Sequence, residues 1–364
     1  MENQSEAKLS EKYKPAETPA PLPEHSAPAQ NQEQNTAQNN LGQSMAQPQS
    51  NQNKNPNPLP QNHFQSSYKR PSSRETMIKM MVGETGSGKT VQIIQECQAY
   101  AQPNPLTSKK PRPVFICHPN VMFEPQYMKT FTNHIRKEQV RGITTAGVYI
   151  ILPLNDDGSM MNDEQKRQMI IYLANNCFKC LLVLDDIDDT FKGVKPREMD
   201  KLFVSHRHRS IDLITTHQFF NPITTSEWGA VTTISLRKTV QSVSIIANRV
   251  PNAEILFIAE MIVAEQYNHA DFMFRTSRIS EEEFKTRRSF FVEINIRTNR
   301  IIGGYSKECF IRNCRKYLNL NNKKITDFQK IYCAKNGKIV YDREQATAKL
   351  IEKELWRYFA GREF

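Results

Sequence analysis

Met77-Ile78-Lys79-Met80-Met81-Val82-Gly83-Glu84-Thr85-Gly86-Ser87-Gly88-Lys89-Thr90 is the stretch whose reading decides the fold. Its first six residues form a short, mostly apolar strand interrupted once by Lys79, and the next eight read G-x-x-x-x-G-K-[ST], a phosphate-binding loop. Gly83, Gly86 and Gly88 let the backbone turn sharply, so that successive N–H groups point inward at phosphate oxygens. Lys89 is expected to reach the β- and γ-phosphates and Thr90 to offer its hydroxyl to Mg²⁺. Val91 to Tyr100 follow as a helix whose N-terminus favours an anion. A strand before the loop and a helix after it make residues 83–90, with Glu84, Thr85 and Ser87 among them, a nucleotide-binding segment.

Binding alone does not hydrolyse a nucleotide; that takes a metal-holding carboxylate, a group that positions water and a charge for the transition state. Leu181-Leu182-Val183-Leu184-Asp185-Asp186 supplies the first two. Four apolar residues carry Asp185 to the carboxyl edge of a sheet, level with the phosphate loop, where it can hold Mg²⁺ through water. Asp186 beside it is placed to act as general base. Further on, Ile211 to Thr216 reads as another strand, and Gln218 at its end is placed to sense the γ-phosphate.

Outward from these motifs, short apolar runs at 113–117, 147–152, 181–184, 211–216 and 231–236 alternate with helical stretches at 160–176, 199–208, 241–249 and 253–266. That alternation predicts an α/β fold on a mainly parallel sheet flanked by helices, with the ligand at the carboxyl ends of the strands. Toward the C-terminus the pattern turns antiparallel: 289–296 pairs with 300–302, and 330–333 with 338–341 around an Asn336-Gly337 turn. A last helix at 343–359 sets Leu350, Ile351, Leu355 and Phe359 on one stripe. Residues 1–75 are rich in Gln, Asn, Pro and Ser and are expected to be a disordered tether. The domains expected are thus the 1–75 tail, a 76–304 ATPase domain and a basic 305–364 extension.

The 364 residues carry a net charge of +11. Residues 1–75 hold seven Lys/Arg and seven Glu, so the whole excess falls on the remainder, and Tyr305 onward holds fourteen Lys/Arg against seven Asp/Glu. Such a balance suits a polyanionic partner, and Lys323, Lys324, Lys335 and Lys338 are candidates to meet a DNA backbone. No secretory segment and no apolar run long enough to span a membrane appears, which predicts no membrane partner. Seven scattered cysteines without a signal peptide argue for a reducing compartment; Cys177-x-x-Cys180 has ligand-like spacing, but buried thiols are expected there rather than zinc.

The strand ending in Asp185-Asp186, followed by Arg207-His208, an apolar strand and Thr216-His217-Gln218, resembles the FtsK–HerA superfamily of DNA-pumping ATPases. Within it the sequence is most similar to the genome-packaging ATPases of poxvirus-type and other large DNA viruses, virophages and related mobile elements. The resemblance covers about residues 76–250. It implies that the Gln218 strand lies between those carrying the phosphate loop and the acids. It also implies ATP and Mg²⁺ as ligands, and a homo-oligomeric ring, usually a hexamer, that drives double-stranded DNA through its pore. One subunit's arginine would complete its neighbour's site, with Arg207, Arg209 and Arg237 as candidates in no order. A capsid protein is a candidate partner, and the host cytoplasm, a viral assembly site or the virion the expected location. Two other functions are alternatives: a cellular or plasmid DNA-pumping ATPase of the same superfamily, which shares every residue named, and a nucleotide-gated assembly protein with slow turnover, against which Asp186 and Gln218 argue.

Overall fold

A computed structural model describes residues 76–103, 110–191, 195–250, 252–333, 337 and 339–361. The expected tether at 1–75 lies outside the described residues.

The elements follow the chain as β1 (Ile78–Val82), α1 (Lys89–Ala101), β2 (Pro113–Cys117), α2 (Pro125–Thr130), β3 (Asn133–Ile135), β4 (Gly147–Ile151), α3 (Asp163–Asn176) and β5 (Leu181–Leu184). Next come α4 (Asp188–Phe191), α5 (Arg197–Ser205), β6 (Asp212–His217), α6 (Thr225–Ala230), β7 (Thr233–Leu236), α7 (Ala253–Arg275) and α8 (Glu281–Arg288). The chain ends in β8 (Val292–Asn295), β9 (Arg300–Gly303), α9 (Lys307–Leu320), α10 (Asn322–Ile331), α11 (Arg343–Leu350) and β10 (Phe359–Ala360).

The described strands make one ten-stranded sheet in the order β10-β9-β8-β7-β1-β6-β5-β2-β4-β3. β1 pairs parallel with β6 and β7, and β5 pairs parallel with β6 and β2, so β6 does lie between the loop-bearing and acid-bearing strands. Only β8 runs against its neighbours, antiparallel to β7 and β9. This is the P-loop NTPase fold: a mainly parallel sheet whose β1 feeds a phosphate loop and helix, with antiparallel strands toward the C-terminus.

Strand alternation divides the core between the two faces of the sheet. Ile78, Met80, Val82, Leu182 and Leu184 join the large cluster on one face, while Met81, Leu181 and Val183 join Ile93 and Cys97 of α1 and Tyr127 of α2 on the other. Lys79 points to the α1 face, and its ammonium is satisfied there by Glu96 at 2.5 Å and by Glu293 of β8. Burial disfavours the charged lysine, yet the two carboxylates overcome it and raise its pKa. Residues 305–361 belong to the same body: β10 pairs with β9, and Tyr305, Phe310 and Leu355 share the large cluster with β1.

Three expected elements differ. Residues 241–249 form only a 3₁₀ turn at Val243–Ile245 rather than a helix, because Ser242 caps Ser244 locally and Glu260 of α7 takes the Val243 N–H. The hairpin at 330–341 is replaced by the end of α10 and a single Cys333–Ile339 bridge; Lys335, Asn336 and Lys338 lie outside the described residues. Ile331, Ile339 and Val340 are exposed, so these segments have no buried face to fix a strand register, whereas Ile325 and Phe328 bury at helical spacing. The final helix stops at Leu350, and Ile351–Tyr358 tighten and loosen through π and 3₁₀ turns before Phe359 enters β10. No helix among the described residues is long and apolar enough to cross a membrane.

Candidate nucleotide site

The phosphate loop is pinned between two strand ends. Gly83 N–H donates to the His217 carbonyl at 3.1 Å, and Glu84 N–H to that of Lys238 at 2.9 Å. A Cβ at Gly83 would come within 2.7 Å of Arg237 Cβ, so no side chain fits there. Gly86 and Gly88 take φ of 75° and 84°, left-handed values that open the loop's curve. Thr85 and Gly86 are exposed at the rim, Ser87 is buried, and Thr90 stands in the first turn of α1. Lys89 donates to the carbonyls of Gly83 at 2.6 Å and Glu84 at 3.1 Å, which holds its ammonium over the loop. Burial lowers its pKa, opposed by the nearby carboxylates of Asp185 and Asp186.

The sheet register delivers the acids. Leu184 is level with Thr215 and Met80, so Asp185, Asp186 and Gln218 emerge at the end of β1. Asp185 is buried, and each carboxylate oxygen accepts one hydroxyl hydrogen bond: Tyr127 on Oδ2 and Thr216 on Oδ1, both at 2.6 Å. Carboxylate oxygens have further lone pairs, so the residue can still accept from metal-bound water. Hard oxygen donors, few in number, suit Mg²⁺, which completes its shell with water and substrate phosphates. The residues that would hold it are Thr90 and Asp185.

Asp186 takes φ of 53°, in the left-handed region that aspartate enters more readily than most residues. Its N–H donates to Thr216 Oγ1 at 2.9 Å, while its Oδ1 accepts from the Gln218 amide at 3.1 Å. Burial raises the Asp186 pKa; the Gln218 hydrogen bond and His118 pull against it. Thus Lys89, Asp185, Asp186 and Gln218 are brought to one edge.

The arginines are not. Arg237 is buried behind its own phosphate loop: Nη1 donates to the carbonyls of Ser87 and Ser289, each at 2.7 Å, and Nη2 to Gln92 at 2.6 Å. Burial pushes its pKa down to about 10. It clamps the loop and cannot extend to a neighbour, which removes it as a trans candidate. Arg209 closes the end of α3, donating to the carbonyls of Ala174 and Cys177. Arg207 is exposed, just before the amino end of β6 and so at the sheet edge opposite the phosphate loop. Among the basic residues expected to meet DNA, Lys324 is held by Glu254 at 2.5 Å. Cys177 and Cys180 are buried, and among the described residues no group of three or more His, Cys, Asp or Glu is placed to hold a metal.

Sequence reading missed a buried charge cluster beneath Gln218. His217 places one ring nitrogen 2.8 Å from Asp188 and the other 2.8 Å from Glu227, and Lys195 meets Glu227 at 2.8 Å and Asp188 at 3.4 Å. Each ring nitrogen faces a carboxylate, an arrangement that favours the doubly protonated imidazolium. Burial alone would lower the His217 pKa and raise that of Glu227. Their mutual attraction reverses both: Glu227 and Asp188 raise His217 against Lys195, while His217 and Lys195 hold Glu227 at about 2. His217 was visible in the Thr-His-Gln run; Lys195 and Glu227 carry no local signal.

No protein-family model and no curated protein matches the sequence. Solved structures similar to this chain include the genome packaging NTPase B204 from Sulfolobus turreted icosahedral virus 2 in complex with AMP, at 17% identity and a TM-score of 0.39 over 62% of this chain and 95% of that one. The N-terminal domain of zonular occludens toxin from Neisseria meningitidis aligns at 17% identity and TM-score 0.28, covering 45% of this chain and 78% of its own. The pCW3 conjugation coupling protein TcpA, in its monomer form with ATPγS, aligns at 13% and 0.31, covering 49% and 52%.

Proposed function

We propose that the chain is an Mg²⁺-dependent ATPase that drives double-stranded DNA into a viral capsid, working as a homo-oligomeric ring, a hexamer by resemblance. The observation that carries the hydrolytic part is the Gln218–Asp186 hydrogen bond, set beside Lys89 and Asp185 at the phosphate loop. The loop amides and Lys89 bind the polyphosphate, and Thr90 and Asp185 would hold the metal. Mg²⁺, when bound, neutralises charge on the β- and γ-phosphate oxygens. Asp186 accepts a proton from the attacking water as its oxygen bonds to the γ-phosphorus and the β–γ bridging bond breaks, leaving ADP and phosphate. Gln218 orients Asp186 and, once its amide turns to the γ-phosphate, reports occupancy to the His217 cluster behind it. Of the three arginines weighed for the neighbour's site, Arg207 has the exposure the role needs.

Steady-state ATP hydrolysis by the full chain, with and without long double-stranded DNA, tests this reading. Stimulation by DNA that fades with salt is expected, because backbone contacts release counterions. Turnover indifferent to DNA at low salt would overturn the translocase, and tight ATP binding with almost no turnover would favour a nucleotide-gated assembly protein.

A further inference from the structure

Arg288, the last residue of α8, is not among the residues the sequence marks, yet it stands over the phosphate loop. Its Nη2 lies 3.4 Å from where a Cβ of Gly86 would be, against the exposed crest of the loop. The next residue, Ser289, fixes this approach. Its side chain packs against Gly88, within 3.1 Å of a Cβ position there, and its carbonyl accepts from Arg237, the same guanidinium that holds the Ser87 carbonyl. The end of α8 and the phosphate loop are thus tied by one buried arginine.

The guanidinium itself is under-used. Its closest carboxylate is Glu84 at 4.0 Å, its plane rests 5.9 Å from the Phe284 ring, and its buried Nε has no hydrogen-bond partner. A buried donor left unsatisfied is unfavourable, and a planar five-donor fork is the side chain best matched to phosphate oxygens. Lys89 and Arg288 thus reach the loop from separate elements, one at the start of α1 and one at the end of α8.

We propose that Arg288 donates, within its own subunit, to the polyphosphate of the nucleotide on the Gly83–Thr90 loop. The inference rests on the nucleotide reading above and adds a cationic contact from a separate element. α8 is stacked on α7 through Phe274 and Phe284, whose rings lie 4.6 Å apart at 11°.

The test is calorimetric binding of ADP and a non-hydrolysable ATP analogue to the full chain and to Lys89→Ala, Arg288→Ala, Arg288→Lys and Arg287→Ala. The loss of a charged hydrogen bond corresponds to about a ten-fold weakening or more, so Arg288→Ala is expected to raise both dissociation constants by about that factor. Arg288→Lys should recover part of the loss. Arg287→Ala, whose side chain pairs with Glu283 on the helix surface, should bind as the unmodified chain does. Because the contact is made within one subunit, the loss should persist on dilution. Near-normal affinity in Arg288→Ala, with binding abolished in Lys89→Ala, would overturn the Arg288 assignment and leave the nucleotide site standing. No binding by the unmodified chain would overturn both. Thermal unfolding of Arg288→Ala, expected within a few degrees of the unmodified chain, separates a lost contact from a lost fold.

Discussion

Glu227→Gln removes one charge from the buried quartet of Asp188, Lys195, His217 and Glu227 while keeping the side chain's shape. The carboxylate is fully buried and accepts from Thr215 at 2.9 Å as well as from His217 and Lys195. Its pKa of about 2 against the ordinary 4.5 corresponds to about 3 kcal/mol of stabilisation at neutral pH. Breaking a buried ion pair from one side costs about 3–5 kcal/mol by an independent route. Both place the loss near a third of the stability of a typical domain. Urea unfolding followed through the fluorescence of Trp228, which neighbours Glu227 on α6, should show a midpoint lower by about 1 M or more. The pH dependence has a definite sign. A carboxyl held below its ordinary pKa contributes fully above pH 4.5 and loses that contribution as pH falls toward 2, so the unmodified chain should carry an acid slope that the variant lacks. His217 acts oppositely: with its pKa raised, its contribution is full below 6.5 and is lost as pH rises through the folded value. Equal midpoints at pH 7, or the same acid slope in both proteins, would refute the charged cluster.

Asp186→Asn should leave ATP affinity near that of the unmodified chain and lower turnover by about 10²–10⁴-fold, the range of general-base catalysis, in a steady-state phosphate-release assay. Because burial raises the Asp186 pKa, and only the ionised form accepts a proton, the acid limb of the rate profile should lie above the ordinary carboxylate value of 3.8, with Gln218→Ala moving it higher still. Gly83→Ala forces a methyl against Arg237 and Ser87; overpacking of this kind costs about 1–3 kcal/mol, readable as a lower thermal midpoint together with weaker nucleotide binding. Lys79→Met strands Glu96 and Glu293 behind the phosphate loop, and a drop of about 3–5 kcal/mol in unfolding free energy is expected from the uncompensated charges.

What could be read in the sequence depended on how local its physics is. The phosphate loop, the apolar β5 and the acids after it are contiguous runs, so their periodicity placed them before any tertiary contact was known. The position of β6 between β1 and β5 is not local, and only the family resemblance supplied it. The Asn336-Gly337 signal falls largely outside the described residues, and the described flanks, joined by a Cys333–Ile339 bridge, have no buried face to fix a strand register. α8 has no apolar period, yet Ser280 caps it and Glu281–Lys285 and Glu283–Arg287 pair along its surface, so its sequence signal lies in caps and charge spacing rather than in an apolar stripe. Arg237 shows the opposite failure. Its sequence environment matches an exposed functional arginine as well as a buried one, and only the packing of Ser87, Gln92 and Ser289 around it decides.

The central claim is that hydrolysis at the Lys89–Asp185–Asp186–Gln218 edge moves duplex DNA. Displacement of a third strand from a linear duplex measures that movement directly. Displacement is expected from the full chain with ATP, none with a non-hydrolysable analogue, and none from Asp186→Asn despite retained nucleotide binding. DNA-stimulated hydrolysis without strand displacement, or displacement that Asp186→Asn leaves untouched, would contradict it.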